Sequence, residues 1–331
     1  MTANRDDLEP LDPETGQELF LDHKSTHCSD ATVQNHRYRT NHFVRWCDEE
    51  GIDNLNDLTG RDIHRYRLWR KEDGDLNKLS LRMQMSTLRV LLKWAGSIEA
   101  VPENLYDKVL VPDVSRKQRQ RDETLGAEDA EDILQHLTKY EYASKEHALL
   151  GVLWETGIRV GTAHSLDVDD VQTEKDCLQV VHRPDTDTTL KNGESGERLI
   201  AIKPPLRNLL TDYIEEVRPD ITDEHGREPL FVSEQGRLSR NSLRRVVYRV
   251  TAPCYRGEEC PGCEGRDAKC EESVSPHAIR RGSITHFLTS DVPDQIVSER
   301  MNVSPKVIDV HYDKRSEETK LEQRRGYLDN I

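Results

Sequence analysis

The sequence predicts a mainly α fold with a small β-sheet or hairpin, divided into two domains. Apolar residues recur at helical spacing through the first half, a pair of short β-type runs interrupts the helical pattern of the second, and a polar stretch lacking apolar periodicity lies between them. A chain of 331 residues with 34% hydrophobic content suits two ordinary cores.

The opening segment, 1–20, is acidic and polar, unlike a signal peptide. Tyr38, Phe43, Val44, Trp46 and Cys47 mark one helix over Ala31–Cys47, and Leu81, Met85, Leu88, Leu91 and Leu92 mark a second amphipathic helix. Between them, Asp57-Leu58-Thr59 precedes a basic run from Arg61 to Lys71. These features predict a compact helical bundle ending near Asn104, within a domain spanning 21–108. The next stretch, 109–124, carries Arg116, Lys117, Arg119 and Arg121 and reads as a basic linker, either tracking a DNA backbone or serving as a solvated tether. A second domain, 125–331, follows. In it, Cys177–His182 and Arg198–Ile202 read as strands, joined by a segment with the turn dipeptide Asn192-Gly193. Lys191 therefore falls on or beside a hairpin tip. Ser275-Pro276 and Ser304-Pro305 each predict a helix start, an N-cap followed by proline at the first position.

A formal net charge of −15 has the wrong sign for a generic nucleic-acid binder. Either DNA is not the partner, or acid coats the outer surfaces while bases gather elsewhere. Clustering favours the second: His36-Arg37-Tyr38-Arg39, Arg61–Lys71, Arg116–Arg121 and Arg240–Arg249 are basic, whereas Asp and Glu are dispersed. Such a coat also suits a high-salt cytoplasm, where counterion release weakens and base or shape readout carries more of the affinity. No apolar run reaches bilayer length, so a soluble, cytoplasmic, DNA-associated protein is expected and no membrane partner.

Five scattered polar residues supply a phosphoryl-transfer chemistry: Arg159 in T-G-I-R, Lys191 in L-K-N-G, His277 and Arg280 in H-A-I-R, and Tyr312 in H-Y-D-K. Singly, each has an ordinary structural explanation: a surface arginine, a helix-start histidine, a packed tyrosine. Together they offer two guanidiniums able to bind nonbridging oxygens, a phenol nucleophile, an imidazole base or donor, and an ammonium to protonate a leaving 5′ oxygen. Arg159 follows a helix ended by Gly157, and Arg280 lies three residues after His277, on the same helical face.

The segments T-G-I-R-V-G with S-L-D-V-D-D-V, then H-A-I-R-R-G-S-I-T-H-F-L, then H-Y-D-K-R, resemble the tyrosine recombinases of the phage integrase family, and the acidic composition resembles its haloarchaeal branch. The resemblance covers nearly the whole chain. It implies a helical core-binding, SAM-like domain and a mixed α/β catalytic domain of the DNA breaking-rejoining type, closing as a C-shaped clamp on duplex DNA. It further implies Arg159 and Arg280 as phosphate-binding arginines, His277 as the box-two histidine, Lys191 as the hairpin lysine, and Tyr312 as the residue joined to a 3′ phosphate. No cofactor is required for that chemistry, neither metal nor ATP. The partners implied are double-stranded DNA at specific sites and further copies of the chain, a dimer on a site and a tetramer at synapsis, with the segment after Tyr312 docking in trans. Two positions depart from the pattern: Val303 stands where His or Trp usually contacts the phosphate, and Thr162 where an acid is common. A side chain such as Arg300, Asn302 or His311 is a candidate substitute for the missing donor. Val303 and Thr162 motivate an alternative, a catalytically weakened DNA-binding architectural or regulatory protein; a type IB topoisomerase is a further one.

Other residues carry separate expectations. Arg82 and Arg89 are placed to read base edges, and Arg240, Arg244 and Arg245 to contact DNA. Four of the seven cysteines, Cys254, Cys260, Cys263 and Cys270, form an insertion with glycine and proline between them, spaced to wrap a structural Zn²⁺; free thiols or a redox pair are the alternatives.

Overall fold

A computed structural model describes residues 8–115, 123–260, 270–313 and 315–328. The chain divides into two compact units, 1–121 and 122–331.

The first unit is a helical bundle. Asp12 caps α1 (Pro13–Ser25) by accepting from Thr15 N at 2.9 Å, with Pro13 in the first turn. Helix α2 (Asp30–Glu50) stops at Gly51, whose φ of 68° closes the last turn, and a Thr59–Asp62 capping box starts α3 (Gly60–Asp73). Asn77 caps α4 (Lys78–Ser97). Leu81, Met85, Leu88, Leu91 and Leu92 are buried on α4 as the helical period predicts. They meet Phe20 and Leu21 of α1, Phe43 and Trp46 of α2 and Tyr66 of α3; Phe43 and Tyr66 pack edge to face at 5.2 Å.

Tyr38, placed on the apolar face, is 63% exposed and leans on His42, and Val44 is only half-buried. Helix α1 draws Gln17 and Phe20 out of the acidic opening segment into the core. The bundle also runs past Asn104: a 3-10 turn at Leu105–Lys108 buries Leu105, and Val109 follows it into the same core.

In the second unit, α5 (Ala127–Tyr140), α6 (Lys145–Thr156) and the short α7 (Val160–Ser165) precede a three-stranded antiparallel sheet. Its strands, β1 (Val171–Gln172), β2 (Cys177–Val180) and β3 (Arg198–Ala201), lie in sequence order, with Val180 opposite Arg198. The β2–β3 connection is longer than a tight hairpin and carries 3-10 turns at Pro184–Thr186 and Gly193–Gly196. Helix α8 (Pro204–Asp212) runs into a π turn, and the small hairpin of β4 (Val232–Ser233) and β5 (Gly236–Arg237) leads to α9 (Arg240–Thr251). Then come α10 (Pro276–Thr289), α11 (Asp294–Met301), α12 (Pro305–His311) and α13 (Glu317–Leu328).

Helix α6 is apolar nearly all round and forms the centre of this unit, packed by Leu178 and Ile200 of the sheet, Leu243 and Val247 of α9 and Ile279 of α10. A smaller core joins Ile284 and Leu288 of α10 to Val297, Met301, Val303, Ile308 and Tyr312. Gly282 lets α10 approach the segment that leads into α5: a Cβ there would lie 2.0 Å from Leu125 O. Among the described residues, no helix is long and apolar enough to cross a membrane.

Candidate active site

Local sequence signals bring the site residues to helix and loop ends. Helix α6 ends at Gly157, with φ of +60°, whose N–H bonds back to Leu153 O. A Cβ at Gly157 would lie 2.6 Å from Met301 Sδ, so this turn is also where α11 packs. Two residues on, Arg159 is the N-cap of α7. Ser275 caps α10 through Ala278 N, setting His277 in its first turn and Arg280 one turn later. Tyr312 ends α12, its N–H bonded to Ile308 O at 2.9 Å and its carbonyl accepting from Thr285 Oγ1 at 3.0 Å.

Arg280 is the best anchored of the set. It is 1% exposed; Nη1 donates to Gly157 O at 2.5 Å and Nη2 to Met301 O at 2.8 Å. One guanidinium thus ties α10 to the turn before Arg159 and to the end of α11. Burial, then the charge of Arg159, pushes Arg280 down to about 10, and Tyr312 pulls in the opposite direction by charge and hydrogen bond. Its Nε is buried without an acceptor among the described residues. Burial also lowers Arg159, again opposed by Tyr312.

The ring of His277 stands edge-on to that of Tyr312, centroids 6.1 Å apart. His277 keeps solvent-exposed surface, so it sits at the mouth of the cluster, yet the protein around it and the charges of Arg281, Arg280, Arg159 and Lys191 hold it down to about 4. Its imidazole is neutral near pH 7. Lys191 is exposed on the β2–β3 connection, beside the Asn192-Gly193 turn, and reaches His277 through its charge. This connection is pinned to α11: Asn192 Nδ2 donates to Asn302 Oδ1 at 2.9 Å, and Asn302 returns a bond to Ser195 O.

Sequence reasoning missed Arg198, the first residue of β3. It donates to Gly196 O at 2.7 Å and Arg300 O at 2.8 Å, and burial with the charges of Arg280, Arg159 and Arg300 lowers it to about 10. The structure therefore gathers mutually repelling guanidiniums beside a phenol. An anion relieves that repulsion, and a phosphate can accept from guanidiniums on two sides. The position of Arg198 opening a strand next to the hairpin was the available signal.

A buried ion network that the sequence reading also missed supports α7. Arg237 Nη2 donates to Asp167 Oδ1 at 2.6 Å and Asp223 Oδ2 at 2.7 Å; Arg227 binds Asp167, and Arg183 binds Asp170 by two contacts at 2.9 and 2.6 Å. These pairs join the D-V-D-D segment after α7 to the sheet and the β4–β5 hairpin, fixing the helix that begins at Arg159.

Val303 is 6% exposed within the smaller core, where it packs with Tyr312's neighbours, and Thr162 is buried on α7. Two of the candidate substitutes are engaged elsewhere: Arg300 donates to Ala201 O and Glu155 O and lies over Phe287, and Asn302 holds the connection. The side chain of His311 lies outside the described residues. In the first unit, Arg82 donates to Pro112 O at 2.7 Å, and the exposed Arg89 to Tyr106 O at 3.4 Å, so each guanidinium is partly committed to its own chain. Arg244 and Arg245 are exposed on α9, while Arg240 donates to Thr189 O. Cys254, Cys260 and Cys270 converge, their Sγ atoms all within 4.8 Å of one another. Cys263 lies outside the described residues, as does the basic run Arg116–Arg121.

A helical unit followed by a helix-rich unit with a small antiparallel sheet, and arginines collected around a buried tyrosine, define a protein built to hold an anion against a phenol. Residues 123–317 match the phage integrase family and residues 18–97 the phage integrase N-terminal SAM-like domain, and the chain belongs to this family. It is similar to tyrosine recombinase XerC of Natranaerobius thermophilus, 23% identical over 264 residues, 77% of this chain and 79% of that one. XerD of Mycobacterium tuberculosis is 25% identical over 296 residues, 85% of this chain and 86% of the relative. The fold is shared with the Tn1549 transposon integrase in complex with a circular intermediate DNA, at a TM-score of 0.67 and 15% identity over 95% of this chain and 99% of that one. A lambda integrase dimer bound to a COC′ core site shares it at a TM-score of 0.61, 15% identity, 95% and 78% coverage.

Proposed function

We propose that this chain is a site-specific DNA recombinase in which Tyr312 becomes covalently linked to a 3′ phosphate. The observation that carries this reading is the meeting of Arg159, Arg280 and a neutral His277 at Tyr312. The phenol oxygen attacks phosphorus as the bond from phosphorus to the 5′ oxygen breaks. A free tyrosine ionises near a pH of about 10, so its proton must leave during attack, and the neutral imidazole of His277 receives it. Arg159 and Arg280 neutralise the nonbridging oxygens, and Arg198 adds to the field. Lys191 protonates the departing 5′ oxygen. Attack of a 5′ hydroxyl on the phosphotyrosine reverses every step and restores a phosphodiester, so the linkage conserves the bond and neither ATP nor a divalent metal is needed.

DNA is the partner, with a dimer on each site and a tetramer at synapsis. Arg244 and Arg245, exposed on α9, contact the backbone. Helix α13 donates from Gln323 to Leu288 O within its own chain, and exchange of that helix between copies would link protomers. The acidic composition suits work at high salt. Val303, packed in the core, leaves this site one phosphate donor short, which slows turnover without removing the nucleophile.

A suicide substrate nicked beside the cleavage position, drawn from the junctions of the DNA element that carries the gene, tests the reading. In chelator and without ATP, wild type gives a covalent protein–DNA adduct and Tyr312→Phe gives none. Absence of adduct from wild type at every salt concentration, on DNA that it demonstrably binds, overturns the reading.

A further inference from the structure

The cysteine segment between α9 and α10 takes no part in the chemistry above. Cys254 lies in the 3-10 turn Pro253–Arg256 directly after α9, and Cys270 lies five residues before the Ser275 cap of α10. Yet the Sγ atoms of Cys254, Cys260 and Cys270 lie within 4.8 Å of one another, with Cys260 and Cys270 at 3.1 Å. Sulfurs held about 2.3 Å from a tetrahedral zinc are about 3.8 Å apart, so the three thiols are gathered within reach of one ion, with Cys260 and Cys270, at 3.1 Å, needing to part slightly to take it up. They grade from exposed Cys254 through half-buried Cys260 to buried Cys270, which makes the site accessible from one side. Arg256, in the turn between the first two, pairs with Glu258 through Nε at 2.7 Å and Nη2 at 3.1 Å.

We propose that Cys254, Cys260 and Cys270 bind one Zn²⁺, with a water completing the tetrahedron, and that the ion clips the end of α9 to the entry of α10. Thiolate-rich tetrahedral sites select zinc among the hard and borderline divalent ions, and binding releases the thiol protons to solvent. The path from the metal to the catalytic helix is short and well bonded. Ser273 Oγ donates to Cys270 O at 2.6 Å, Val274 N donates to Thr251 Oγ1 at 3.1 Å, and Ser275 then caps the helix of His277 and Arg280. The zinc is therefore a positioning element for that helix start and touches no reacting atom.

This inference stands apart from the strand-transfer reading, because it is read by metal content and spectrum. Full-length protein prepared in zinc-containing medium under reducing conditions is expected to carry about one zinc per chain by mass spectrometry of the metal. Cobalt(II) exchanged into it should show thiolate-to-cobalt charge-transfer bands and the visible bands of a tetrahedral site. Cys254→Ser, at an exposed loop position that leaves the cores intact, should lose both signals while keeping its circular dichroism. Stripping the zinc should lower the melting temperature of wild type but not of Cys254→Ser. Metal-free folded protein that gives no cobalt bands on titration, or full zinc retention in both Cys254→Ser and Cys270→Ser, overturns the proposal.

Discussion

Replacing Arg280 by lysine separates what this side chain does for the fold from what it does for the reaction. Arg280 is 1% exposed and satisfies Gly157 O at 2.5 Å and Met301 O at 2.8 Å. A single ammonium cannot span both carbonyls from one position, so at least one is left buried and unbonded, at about 1–3 kcal/mol. For a unit of 210 residues, that corresponds to a melting shift of about 2–12 °C. The reaction loses more. A planar donor pair aimed at a phosphate is replaced by a point charge, and loss of one transition-state donor costs about 10²–10³ in rate. The assay is single-turnover adduct formation on a suicide substrate, run below the melting temperature of the variant and beside a DNA-binding measurement. Melting and cleavage should both fall, with binding reduced far less than cleavage. Wild-type cleavage in Arg280→Lys would refute the assignment of this guanidinium to the phosphate, and an unchanged melting temperature would refute its structural role.

Other perturbations give distinct readouts. His147 is 5% exposed, and burial holds it down to about 4, opposed by Glu141. The unfolded chain, titrating near a pH of about 6.5, binds the proton first as pH falls, so His147's contribution is full above that value and is lost toward pH 4, up to about 3 kcal/mol; urea midpoints in His147→Gln that track wild type between pH 7 and 4.5 would contradict this. Val303→His places an imidazole in an apolar core and should destabilise by about 1–3 kcal/mol without raising cleavage; a tenfold faster reaction would show that the position opens to the phosphate. Arg244→Ala and Arg245→Ala should each weaken binding equally on all sequences and lower the salt slope by about one unit. Unchanged slopes would make them surface charge.

The parts of the molecule legible in the sequence are those set by neighbours along the chain. Ser275-Pro276, Gly157 and the α4 stripe from Leu81 to Leu92 act within a turn or two, and each forms the predicted element. Tyr38 fits a helical stripe by spacing but falls at its solvent edge, because periodicity fixes a direction and leaves the width of the buried face open. The candidate residues at the turns around Arg159, His277, Arg280 and Tyr312 could be named because each sits in a distinctive local motif. Arg198 could not, since its meaning comes from Arg159 and Arg280, brought to it by β3 and α10 packing against α6 and α11. The Asp167–Arg227–Arg237 network was equally hidden, joining residues 60 and 70 positions apart. Commitment of Arg82 to Pro112 O, 30 residues away, is a tertiary choice of the same kind.

The central claim is that one phenol carries the DNA. Proteolysis of the covalent adduct followed by mass spectrometry of the nucleotide-bearing peptide tests it most directly. The account predicts that the modified peptide contains Tyr312, that the nucleotide is joined through its 3′ phosphate, and that the partner fragment ends in a free 5′ hydroxyl. A label on any other residue, or a 5′-linked nucleotide, would contradict it.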